Sequence, residues 1–138
     1  MQSPAAWDLI ASVRVGHLAT TRADGSPHVV PVVFAIDSGN IVTAVDNKPK
    51  RPLQLARVSH IIRDPRVSFL ADHYSDDWSA LWWVRIDGLA SLEQTGDGFE
   101  RGIAALIARY QQYQKVAIPG PLIRILPTRF SSWSATPT

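Results

Sequence analysis

The chain has 138 residues, with 14 basic and 12 acidic side chains, a net charge of +2 and 46% hydrophobic residues. That length and balance predict one globular domain over 1–138, and the charge is too small to argue for nucleic acid. With no cysteine, disulfides, thiol nucleophiles and Cys-ligated metals are excluded. No run approaches the ~18 apolar residues of a membrane span, and the N-terminus lacks a signal pattern, so a cytoplasmic protein is expected.

In chain order, Pro4 to Val13 predicts a short helix, with Ser3 as N-cap and Pro4 at the first helical position. Trp7, Ile10 and Ala11 would form its buried face. RVGHLATT and PHVVPVVFAI follow, joined by the turn ADGS at 23–26; Asp24-Gly25 between two β-rich runs is a strong hairpin signal. A second turn, DSGN at 37–40, leads into IVTAV, and the three strands are expected to form a meander. Pro52 to Ile62 predicts a helix with Leu55, Val58 and Ile62 on its inner face and His60 on its exposed face. Asp64-Pro65 ends it, because the residue before proline disfavours helix.

VSFLAD at 67–72 is a further strand, and HYSDDW a polar loop. Residues 81–93 read as a long strand with a bulge at Gly88. Asp97 would cap a helix whose apolar stripe is Phe99, Ile103, Leu106, Ile107 and Tyr110. After the loop VAIPGP, a strand from Leu122 finishes the chain, interrupted at Pro127. The expected fold is mainly β: about six antiparallel strands in a small barrel, with two or three helices over its ends.

The usual catalytic signatures are absent. His17, His28, His60 and His73 do not sit at metal-binding spacings. His17 within a strand reads as packing. There is no nucleophile elbow, and neither glycine-rich nucleotide loop is present. Asp76-Asp77 reads as a solvated loop pair rather than an acid/base couple.

Two stretches are unusual. In KPKR, Pro49 and Pro52 fix the backbone around Lys48, Lys50 and Arg51 just before a helix start, where free N–H groups attract anions. That suits a phosphate or carboxylate ligand; a solvated turn is the alternative. In DDWSALWWVR, Trp82 and Trp83 are strand neighbours and must face opposite sides. One of them therefore needs a partner subunit, a covering helix or a flat ligand. Arg85 shares the Trp83 face, so an aromatic and a cation line one cleft, suited to an aromatic ring system with anionic groups.

The order GHLATTRADGSPHVVPVVFAID, IVTAVDNKPKR and RDPRVSFLADHYSDDWSALWWVRIDGLA, with a terminal strand ending in tryptophan, resembles the pyridoxamine-5′-phosphate-oxidase-like split β-barrel proteins. It is most similar to their short actinobacterial branch, the coenzyme F420-dependent oxidoreductases. The resemblance runs from about Leu9 to Trp133. It implies an FMN-binding-type split barrel, a homodimer with cofactor sites at its interface, and hydride transfer to or from a small organic substrate by a deazaflavin. His28, Pro31 and Val32 would lie near the ring, Thr43 and Val45 along the third strand beside it. Lys48, Lys50 and Arg51 would hold the phosphate or oligoglutamate tail. Trp78, Trp83 and Arg85 would come from the facing subunit. No residue is expected to be catalytic in its own right, because the chemistry is the cofactor's. FMN in place of F420, or a cofactor-binding protein without turnover, are the alternatives.

Overall fold

A computed structural model describes residues 4–45 and 56–136. The expected basic corner, with Lys48, Lys50 and Arg51, and the expected N-cap Ser3 lie outside the described residues. The described chain opens with helix α1 (Pro4–Ala11) and strands β1 (Gly16–Thr21), β2 (Pro27–Val32), β3 (Ala35–Asp37) and β4 (Asn40–Ala44). Helix α2 (Ala56–Arg63), strands β5 (Arg66–His73) and β6 (Trp82–Glu93), helix α3 (Asp97–Arg109) and strand β7 (Leu122–Ser134) complete it. Among the described residues no helix is long and apolar enough to cross a membrane.

All seven strands join one sheet in the order β2-β1-β5-β6-β7-β4-β3, and every pairing is antiparallel. The count corrects the expected six, and the expected meander does not form. PHVVPVVFAI is not one strand: its first half pairs with β1 and its second half with β4, at opposite edges of the sheet. Only Val33 and Phe34 separate the two halves, and two residues span ~7 Å at most. The two edges therefore meet at that corner, and the sheet is curled into a barrel.

The corner is held by one hydroxyl. Tyr110, just beyond α3, accepts a hydrogen bond from the Phe34 N–H at 3.0 Å and lies 2.8 Å from both the Phe34 and Arg14 carbonyls. Arg109 donates from Nε to the same hydroxyl and from its other nitrogens to the carbonyls of Ala11 and Val13. The backbone groups freed where the strand breaks thus find partners in the interior, where leaving them unpaired would be costly.

The inside of the curl is filled by Leu18, Phe34, Ile41, Phe69, Val84, Ile86, Ile123 and Ile125, with Ile10 of α1 and Ile61 of α2 over the openings. A second cluster lies on the other face of β4 and β7. There Val42, Ala44 and Leu122 meet Leu106, Tyr110 and Tyr113, with Phe99, Ile103 and Ile107 beside them. The α3 stripe is therefore as expected, although Gly96 and not Asp97 occupies the cap position. Gly102 lets α3 approach closely: a Cβ there would lie 2.4 Å from the Leu122 side chain. Arg124 of β7 pins the start of α3 through Asp37 at 3.0 Å, Glu93 at 3.1 Å and the Gly98 carbonyl at 2.9 Å.

Both hairpin signals are realised. Gly25 sits at φ +86°, with the Asp24 carboxylate accepting from the Ser26 N–H at 2.9 Å, and Ser38 and Gly39 take φ of 53° and 75°. The bulge at Gly88 is also present. Gly88 pairs with Pro127 while Asp87 pairs with Arg129, leaving Thr128 as the extra residue. Only glycine fits, since a Cβ would lie 2.5 Å from the Leu126 carbonyl oxygen.

Two helix faces differ from expectation. In α1 the buried residues are Ala6 and Ile10, and Ala11 is exposed. In α2, Ile62 is 72% exposed while His60 and Ile61 are buried. The reason is a hydrogen bond: the Thr20 hydroxyl, itself buried on β1, lies 2.8 Å from His60 Nδ1. A polar ring satisfied in this way takes the inner position that periodicity gave to Ile62.

Two predictions follow from these contacts. Tyr110→Phe leaves the corner's buried groups without their partner and should lower stability by about 2–3 kcal/mol, read as a lower urea midpoint. Burial first, and then the positive charge of His28, Arg63 and Arg22, hold the His60 imidazole below its ordinary value. The folded state resists a proton that the unfolded state accepts near pH ~6.5, so stability is full above that pH and falls as pH drops through it. The urea midpoint should decline on acidification to about pH 5.5, and His60→Gln should decline less.

Candidate functional site

The pleat decides which expected site residues share a surface. On β2, His28 and Val32 point to the inside of the curl with Val30, whereas Pro31 points outward and is exposed. Val32 is 7% exposed and belongs to the core. Thr43 and Val45 are interior too, at 1% and 3% exposure. The Thr43 hydroxyl donates to the Val33 carbonyl at 2.8 Å, and the Val45 N–H donates to the Pro121 carbonyl at 3.2 Å. These three side chains back the barrel wall. Trp78 lies in a 3₁₀ turn, Trp78–Ala80, and is 69% exposed. Asp77 caps that turn by accepting from Ser79, which holds its carboxyl below the ordinary value. It is not free for acid/base work.

Trp83 and Arg85 do come together. Both stand on the outer face of β6, and the Arg85 guanidinium lies 5.7 Å from the Trp83 ring centroid. Trp83 is paired across the sheet with Asp72 on one side and Trp133 on the other; Arg85 is paired with Leu70 and Ser131. Leu70, Asp72, Trp83, Arg85 and Trp133 line a cleft of about 430 Å³, which Trp82 also borders. Trp82 faces the other way, as its position next to Trp83 requires, packing toward the core and stacking on His73 at 6.4 Å. Arg85 donates to Ser131 Oγ at 3.3 Å and pairs with Asp87 at 3.6 Å, yet 44% of its side chain stays exposed. Asp87 is committed below: the Ser68 hydroxyl at 2.6 Å chiefly holds its carboxyl below the ordinary value, with Arg129 and Arg85 adding to it. The cleft therefore offers aromatic faces, one partly free guanidinium and no free general acid from Asp87.

The sequence reading missed two contributors. Trp133 completes the aromatic rim from β7, at 48% exposure; its place follows from strand register, which no local motif reveals. His60 packs edge-on against His28, with ring centroids 4.8 Å apart and planes at 77°. Among the described residues, no three His, Cys, Asp or Glu side chains come together as a metal site.

The fold is shared with known proteins. A conserved hypothetical protein of Mycobacterium tuberculosis is 27% identical, matching 98% of this chain and 86% of its own, with a TM-score of 0.78. A heme binding protein of Mycobacterium smegmatis is 21% identical over 98% of this chain and 60% of its own, with a TM-score of 0.72. An FAD-binding protein of Mesorhizobium loti is 20% identical over 96% of this chain and 94% of its own, also with a TM-score of 0.72. No curated protein matches the chain. The model of the pyridoxamine 5′-phosphate oxidase family matches residues 3–134. The chain therefore belongs to the pyridoxamine 5′-phosphate oxidase family.

Proposed function

We propose that the chain is an oxidoreductase that binds coenzyme F420 between two copies of itself and passes a hydride to or from a small organic substrate. The observation that carries the reading is the Trp83–Arg85 pair on the open outer face of the sheet, beside Trp133. A guanidinium held over an indole and still partly free suits a planar, anionic ring system. One protomer supplies this platform, together with Trp78. The other supplies Pro31 from its outer face, His28 from the barrel rim, and Lys48, Lys50 and Arg51 for the tail. Val32, Thr43 and Val45 serve as backing that keeps the wall rigid, since their side chains are buried.

The deazaflavin supplies the hydride chemistry when bound. The protein's share is to orient the ring, neutralise the tail and exclude water. The several cations of the 48–51 segment suit the long, anionic tail of F420. A second reading, FMN in the same place, is favoured by the FAD-binding protein of Mesorhizobium loti among the structural neighbours. The heme binding protein of Mycobacterium smegmatis supports a third, a binding protein without turnover.

Titrating the apo-protein with F420 and separately with FMN, following tryptophan emission, separates these readings. Tight F420 binding with weak FMN binding is expected; the reverse moves the protein to flavin chemistry, and binding of neither removes the proposal. Lys50→Ala and Arg51→Ala should each weaken F420 by about 1–3 kcal/mol, the usual loss for a charge-assisted hydrogen bond. An unchanged affinity in the double variant would remove the tail assignment.

A further inference from the structure

Beside His28, at the barrel rim, lies a buried imidazole with no part in holding the cofactor. His60 reaches across from α2, with Nδ1 2.8 Å from the buried Thr20 hydroxyl, and presents its ring edge-to-face to His28. Among the described residues, His28 Nδ1 is itself buried without a hydrogen-bond partner. Its ring is therefore set by packing, and the ring it packs against is fixed by a hydrogen bond.

Among the described residues, the basic groups acting on His60 all disfavour its charged form. They are His28 from β2, Arg63 from α2 and Arg22 from the β1–β2 turn. Arg63 donates to the Thr21 carbonyl at 2.9 Å, and Arg22 donates to the Pro27 carbonyl, so both guanidiniums are held close by. Two charged imidazoles in this basic, half-enclosed place would repel each other and both arginines. A proton on His60 is therefore disfavoured in the folded state.

We propose that His60, held by Thr20, is a positioning residue for His28: it fixes the plane of the His28 ring. The proposal rests on the reading that His28 borders the cofactor. It gives the site a pH response that a purely hydrophobic support would lack. A charge forced onto His60 in this buried, basic place works against the edge-on packing that supports the β2 rim.

Two measurements test it. In apo-protein labelled with ¹⁵N-histidine, His60→Ala should shift or broaden the His28 ring signals. His60→Phe, which keeps an edge-on ring without the Thr20 hydrogen bond, should restore them in part, and Thr20→Val should produce a smaller change of the same kind. His28 signals unmoved in both His60→Ala and Thr20→Val would overturn the positioning role. For holo-protein, the F420 dissociation constant should rise roughly tenfold between about pH 7.5 and 5.5, and that rise should be largely abolished in His60→Phe. An equal rise in both proteins would overturn the part given to His60 in the pH response. If wild-type protein binds neither F420 nor FMN, the cofactor reading fails, while the apo-protein spectra still decide whether His60 positions His28.

Discussion

One constraint shapes this fold: a single run of ten residues must serve two edges of the same sheet. PHVVPVVFAI leaves β1 and reaches β4 with only Val33 and Phe34 to turn on. That short corner pulls the sheet into a curl, and the curl creates the interior in which Phe34, Phe69 and Ile86 pack. The price is a broken strand whose backbone groups face the core. The Tyr110 hydroxyl satisfies them and also joins the ends of α1 and α3 to the corner. Helix docking, strand closure and core formation thus depend on one side chain.

Much of this was legible because it is written locally. Asp24-Gly25 and Ser38-Gly39 announce their turns by chemistry that few other pairs can supply. The stripe from Phe99 to Tyr110 has a helical period, and Gly88 stands out inside an otherwise bulky strand. The break at Val33–Phe34 was not legible, because VVPVVFAI contains no turn residue at that point. What breaks the strand is the competition between two distant partners, β1 and β4. The inward face of α2 was misread for a similar reason. Periodicity favours Ile62 over His60 until Thr20, forty positions away, offers a hydrogen bond.

The candidate site divides along the same line. Trp83 and Arg85 could be paired from the alternation of one strand, and they do share a face. His28, Pro31 and Val32 looked like one group in sequence, yet the pleat sends Pro31 to the opposite side from the other two. Thr43 lies on a strand flanked by the barrel interior on one face and α3 on the other, Val45 directly follows that strand, and both are enclosed. Which residues border the cleft is a property of register and curl, and neither is written in a motif.

The bulge opposite Gly88 has a consequence far along β7. Before it, odd-numbered residues such as Ile123 and Ile125 face the interior. Thr128 adds one residue without adding a partner, and the alternation changes phase. Beyond it, Phe130 turns inward to meet Trp7 at 5.3 Å, and Trp133 turns outward beside Trp83. In an unbroken strand the same sequence would drive Trp133 toward the core and leave the cleft without one wall. A single supernumerary residue therefore acts as a phase shifter, allowing one strand to build the interior at its start and the open aromatic face at its end.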